Sequence, residues 1–284
     1  MPPLPPAANL DPADIDNWTE EQLAQFKRLS QRPRPLAPAV EMLGAGASGE
    51  LVAEGDSWFD YPVPLSVDII DCLRVFHGFR IEKHAKYGDT LENMIFGPSA
   101  TGLLQAIREI QPKALLFSGG GNDVAGDAFA GYLNHKLSGL PLVRPDVAHY
   151  LIDTVFANYL RHLISAVAAA SPHTTIVMHG YAHTRPTGKG VLNLPGVSFI
   201  GPWLLPALQA KRISDPAEQA ACVFGLIDRY NGMLARLAAE FPKFRHVDLR
   251  PHIDPDQDWA NELHLKRSAC VKAAARIAAV VQAL

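Results

Sequence analysis

The chain has little cysteine, no long apolar run and no excess of positive charge, and each shortage removes a class of function. Its three cysteines, Cys72, Cys222 and Cys270, are too few and too scattered for a disulfide framework. None forms a C-x-x-C pair or stands at a metal-ligand spacing, so they read as small buried apolar side chains, and neither a metal nor another cofactor is expected. No apolar stretch approaches the roughly 20 residues of a membrane-spanning helix. Met1 to Asp11 lacks the basic start and apolar centre of a secretory signal, so a cytoplasmic protein without a membrane span is the expectation. A formal net charge of -3 and a pI near 6.4 leave no basic footprint for nucleic acid.

What the chain has in quantity is apolar surface. With 48% hydrophobic residues in 284, it can bury a full core, which suits one large α/β domain with or without an appendage. Residues 1–16 are rich in Pro and Ala and read as an extended arm. A helix start follows: Thr19 caps, Gln22 completes a capping box, and Trp18 staples onto Leu23. That helix should end near Ser30, before Pro33 and Pro35. Residues 1–50 thus form an N-terminal arm and helix. Packing on the flank of the domain at 51–284 is the first expectation, with homo-oligomer formation through this region as the alternative. Gly44 to Gly49 matches G-x-G-x-x-G, but a dinucleotide site needs a strand before the glycines and a helix after them. Here the strand, Leu51 to Glu54, comes after, and the nucleotide reading is rejected.

Val52 to Asp60 organises the rest. A short apolar run stops abruptly at Gly55-Asp56-Ser57, which places a serine hydroxyl at the tip of a buried strand, where open α/β sheets gather their ligands. Taken alone, Ser57 is equally a cap for the next helix. Further apolar runs follow at Phe79–Ala85, Ala114–Ser118, Thr174–His179 and Phe244–Leu249, separated by helical patterns at 65–77 (in two parts), 146–170, 215–240 and 266–283. This alternation predicts a parallel sheet covered on both faces. Between the fourth strand and its helix lies a long connection, 181–214, with apolar groups at Phe199, Trp203, Leu204 and Leu205. It reads as an insertion that walls a pocket or covers a sheet edge.

Three more segments stand at strand ends or before the last helix: Tyr87-Gly88-Asp89, Gly119-Gly120-Gly121-Asn122-Asp123 and Asn261-Glu262-Leu263-His264. Together with Gly55-Asp56-Ser57, and in this order, they resemble the SGNH (GDSL-type) hydrolase family, whose four motif residues fall on Ser57, Gly88, Asn122 and His264. The resemblance covers the chain from about residue 50 to its end. It implies a flavodoxin-like three-layer α/β sandwich around a five-stranded parallel sheet, a small-molecule ester as substrate, and no metal.

The residue types suit acyl transfer. A serine hydroxyl is a weak nucleophile until a base takes its proton, and His264, matched by the resemblance and placed before the last helix, is the candidate. His179 and His183 are its rivals. The backbone N–H groups of Ser57 and Gly88 and the amide of Asn122 are the expected donors to an oxyanion. The family usually carries an acid three residues before the histidine, and here Asn261 stands there. Its amide oxygen can orient the imidazole without stabilising the cation as a carboxylate would, and Asp258 and Glu262 are the alternatives. Asp56, Asp60 and Asp123 read as supporting or capping groups. Trp58, Phe59, Trp203 and Leu204 suggest an apolar acyl pocket. The function expected is therefore a serine ester hydrolase acting on carboxylic esters. Carbohydrate O-deacetylation is the alternative within the same chemistry, and a ligand-binding module without catalysis is the alternative outside it.

Overall fold

The computed structural model describes residues 10–32, 48–191, 193–194, 197–198 and 201–284. The start of the expected arm, Pro33 and Pro35, positions 44–47 of the glycine pattern and Phe199 lie outside the described residues.

In chain order the elements are α1 (Glu20–Ser30), β1 (Ser48–Gly55), α2 (Ile69–Phe76), β2 (Arg80–Lys83), α3 (Leu91–Phe96), α4 (Ser99–Ile110), β3 (Pro112–Ser118) and α5 (Gly121–Val124). They continue with α6 (Pro145–Ala148), a π-helical stretch at His149–Phe156, α7 (Ala157–Ala170), β4 (Thr175–His179), a two-stranded ribbon of β5 (Asn193–Leu194) and β6 (Val197–Ser198), α8 (Leu205–Ala210), α9 (Pro216–Glu240), β7 (Phe244–Val247) and α10 (Arg267–Gln282). Short 3-10 turns precede α1 and fill much of the segment between α5 and α6. Among the described residues, no helix is long and apolar enough to cross a membrane.

The five main strands lie in the order β2-β1-β3-β4-β7, all parallel, which is the 2-1-3-4-5 order of a flavodoxin-like sheet. Alternation along each strand sends side chains to opposite faces. Val52, Leu115, Phe117, Ile176 and Met178 join the core under α3, α4, α7 and α9. Leu51, Ala53, Ala114, Leu116, Val177 and Val247 join the core on the other face, with α1, α2 and α10. Each fully buried Leu, Ile or Phe contributes about 1.5–3 kcal/mol of transfer free energy, so the central strands are fixed from both sides.

The N-terminal helix is part of this second face. Thr19 Oγ1 accepts from Gln22 N–H and Gln22 Oε1 from Thr19 N–H, closing the capping box. Trp18 packs edge-on against Phe26 and Phe76, and Lys27 and Ser30 both bond the buried carboxylate of Asp71 on α2.

Two helical readings change. The pattern at 65–77 yields a helix only from Ile69, because Asp68 caps it through the Asp71 N–H, and Leu65 has a positive φ of 57° that a helix excludes. The stretch 146–170 is not one regular α-helix: it begins as α6, widens to a π turn and regains α geometry at Ala157. The widened turn rephases the side chains, and within it Asp153 is held by His149 one turn back and by Arg229 and Arg236 of α9.

Candidate active site

The turn after β1 is held by one buried carboxylate. Asp56 N–H donates to Ser118 O (3.1 Å), while Asp56 Oδ1 accepts from Trp58 N–H (3.0 Å) and Ser118 Oγ–H (2.8 Å). Its Oδ2 accepts from the Tyr181 hydroxyl, which in turn accepts from Gly121 N–H (3.1 Å). The ends of β1 and β3 and the segment after β4 are thereby locked together around Ser57.

Ser57 Oγ lies 2.9 Å from His264 Nε2. The Nδ1 of the same ring is 2.9 Å from Asn261 Oδ1, which also accepts the Leu263 N–H (3.0 Å) and the His264 N–H (2.9 Å). With the amide oxygen as acceptor, Nδ1 carries the hydrogen and Nε2 presents its lone pair to the serine. Asn261 Nδ2 donates to the Tyr61 hydroxyl (3.4 Å), and Tyr61 and Trp203 flank the imidazole with ring centroids 4.5 and 5.5 Å away. Burial holds the His264 pKa down to about 4, so the ring is neutral at pH 7.

The segments that carry the expected oxyanion donors are tied to one another and to the end of β1. Lys86 N–H bonds Gly55 O (2.8 Å) and Asn122 Nδ2 donates one hydrogen to Asp89 O (2.8 Å), so the Gly88 turn is tied both to the end of β1 and to Asn122. Gly88 has φ 77° and Gly120 φ 102°, and a Cβ on Gly120 would come within 2.7 Å of the Tyr230 hydroxyl. The backbone N–H groups of Ser57 and Gly88 enter no turn or strand bond among the described residues.

Beside Ser57 and Asn122 opens a predominantly apolar cavity. Its walls are Val124, Ala125, Phe129, Ile152, Leu204, Trp259 and a stripe of α9, with Trp58 next to the serine. Of the four residues expected to line a pocket, Trp58 and Leu204 do. Phe59 lies instead in the core, fully buried and edge-on to His179, with its backbone N–H closing the turn on Asp56 O. Trp203 packs against His264 rather than lining the cavity.

The alternatives to His264 and Asn261 are committed elsewhere. His179 is buried with its ring stacked on Trp58, and His183 pairs with Asp228 (2.8 Å). Asp258 binds Lys272 and caps Asp254 N–H. The Glu262 carboxylate accepts four backbone N–H groups, from Gly188 (2.8 Å), Trp203 (2.7 Å), Leu204 (2.7 Å) and Leu205 (3.1 Å), and so fastens the 181–214 connection to the segment bearing His264. Sequence reasoning left Tyr61, Tyr181 and this anchoring role unassigned, since partners so distant in the chain leave no local pattern. Among the described residues, no three His, Cys, Asp or Glu side chains stand together to hold a metal ion.

No protein-family model and no curated protein matches the chain in sequence. Solved structures do match in shape. An extracellular lipase from Streptomyces rimosus, 15% identical, aligns over 82% of this chain and 99% of its own with a TM-score of 0.52. Phospholipase A1 from Streptomyces albidoflavus NA297, also 15% identical, aligns over 81% and 98% with a TM-score of 0.51. The chain has the SGNH hydrolase fold. In an open parallel sheet of this order, the carboxyl ends of β1 and β3 face the crevice, and Ser57 and Asn122 stand there.

Proposed function

We propose that the protein is a serine ester hydrolase that works through an acyl-enzyme on Ser57. The observation that carries this reading is the chain Ser57 Oγ to His264 Nε2 to Asn261 Oδ1, with both contacts at 2.9 Å. His264 takes the hydroxyl proton as Oγ attacks the ester carbonyl. The tetrahedral oxyanion receives the Ser57 N–H, the Gly88 N–H and the second Asn122 amide hydrogen. The imidazolium then gives its proton to the departing alkoxide, and water, activated by the same ring, releases the acid. Asn261 fixes the ring and its tautomer without adding charge, so the imidazolium is stabilised less than beside a carboxylate.

The apolar walls beyond Asn122 favour an acyl chain over an acetylated sugar. A cytoplasmic location belongs to the same reading, supported by three buried free thiols. The test is incubation of the folded chain with a serine-directed fluorophosphonate and with chromogenic esters. The reading predicts labelling at Ser57 and hydrolysis abolished in Ser57→Ala; folded protein that neither labels nor turns over would make it a binding module.

A further inference from the structure

Four residues of α9 face the cavity, Val223, Leu226, Ile227 and Tyr230, at the spacing i, i+3, i+4, i+7 that keeps one stripe of a helix in line. One end of this stripe is fixed at the reacting centre. The Tyr230 hydroxyl donates to Gly119 O, in the turn that presents Asn122. Val223, buried at 4% exposure, is therefore the far end. Seven residues at 1.5 Å per residue separate the two by about 10 Å.

We infer that this stripe measures the substrate: the acyl group is a straight aliphatic chain of about eight carbons, laid along α9 from Tyr230 towards Val223, and Val223 sets its length. The inference rests on ester hydrolysis at Ser57. A residue's three backbone bonds span about 3.3–3.6 Å, so an extended chain of tetrahedral carbons advances about 1.2 Å per bond and needs about eight bonds to cover the stripe. Ile152 on the π turn, Phe129 and Leu204 supply the other walls. The polar side chains of the lining are already engaged: Asp56 with Tyr181, Tyr230 with Gly119, Thr184 with the Glu262 carbonyl, and the Glu262 carboxylate with its four N–H groups. Beyond the reacting centre, only the Trp259 indole N–H is an unpaired side-chain donor among the described lining residues. A sugar hydroxyl would find few partners there, whereas each methylene finds carbon.

The experiment is a series of straight-chain p-nitrophenyl esters from acetate to palmitate, assayed on the full chain and on variants at Val223. Wild type should gain about fourfold in kcat/KM per methylene, the value expected for burying one CH₂, peak near octanoate and fall for longer chains. Val223→Trp should lower the octanoate-to-butyrate ratio at least tenfold, and Val223→Ala should move the peak to longer chains. Thermal unfolding checks that each variant folds, and if the Trp variant does not, the Ala variant decides. A peak at acetate, faster removal of acetyl groups from sugars than hydrolysis of octanoate, or a chain-length profile unmoved in a folded Val223 variant would overturn the inference while leaving ester hydrolysis standing. Absence of hydrolysis across the whole series, with no fluorophosphonate label on Ser57, would instead remove the hydrolase reading itself.

Discussion

Glu262→Gln should loosen the wall of the cavity without touching the Ser57–His264 pair. The carboxylate accepts four backbone N–H groups, two on each oxygen: Gly188 and Leu205 on Oε1, Trp203 and Leu204 on Oε2. A carboxamide keeps one accepting oxygen and turns its NH₂ towards the other two donors. Two buried N–H groups are then left without an acceptor, at about 1–3 kcal/mol each, or about 4 kcal/mol together. For a domain of this size, about 2 °C of melting temperature accompanies each kcal/mol, so the expected fall is about 8 °C by calorimetry. Leu204 lines the cavity and its N–H is one of the four, so KM for a long-chain ester should rise more than KM for acetate. Asp256→Asn is the control. It removes an exposed ion pair with Arg185, worth about 0–1 kcal/mol, and should shift melting by no more than about 2 °C. A Glu262→Gln protein that melts within about 2 °C of wild type would refute the anchoring role.

Other substitutions test the reacting centre itself. Asn122→Ala should lower kcat about a hundredfold, about 3 kcal/mol of barrier, with little change in KM; wild-type turnover would remove Asn122 from the oxyanion site. Because burial lowers the His264 pKa to about 4, the base stays neutral above that value, and kcat/KM should hold constant as pH falls from neutrality until it drops near 4. Asn261→Asp keeps the acceptor and adds charge, so activity should persist or rise and the acid limb should move to higher pH; a folded, inactive variant would count against contact between 261 and His264. Glu54 is buried in β1, with one oxygen on the Gly55 N–H and the other unpaired, and burial raises its pKa from 4.5 to about 8. The unfolded chain ionises first, so stability is lost as pH rises between those values. Glu54→Gln should match wild type near pH 4.5 and melt higher at pH 8; equal melting at both pH values would place Glu54 outside this linkage.

Much of the fold could be read from local pattern. The apolar runs ending at Gly55, Ser118 and His179 become β1, β3 and β4, because a doubly covered parallel strand must be apolar on both faces. The capping box at Thr19 and the proline start of α9 declared their helices directly. The π turn at 149–156 leaves no mark in the local pattern, and the partners of its Asp153, Arg229 and Arg236, lie far along the chain on α9. Ser57, Asn261 and His264 were nameable from motif and order, and their meeting is a matter of tertiary geometry. Phe59 shows the limit of reading a pocket from apolar character alone: it is wholly within the core, whereas Trp58 beside it reaches both the core and the cavity. The segment from 121 to 132, which supplies Val124, Ala125 and Phe129 to the cavity wall, has little periodicity to mark it.

The most direct measurement is mass spectrometry of the protein quenched in acid within its first turnovers on p-nitrophenyl octanoate. An added octanoyl mass on the peptide carrying Ser57, absent in Ser57→Ala, is the predicted result. Ester cleavage that proceeds with Ser57 unmodified, or an acyl group found on another side chain, would contradict the account.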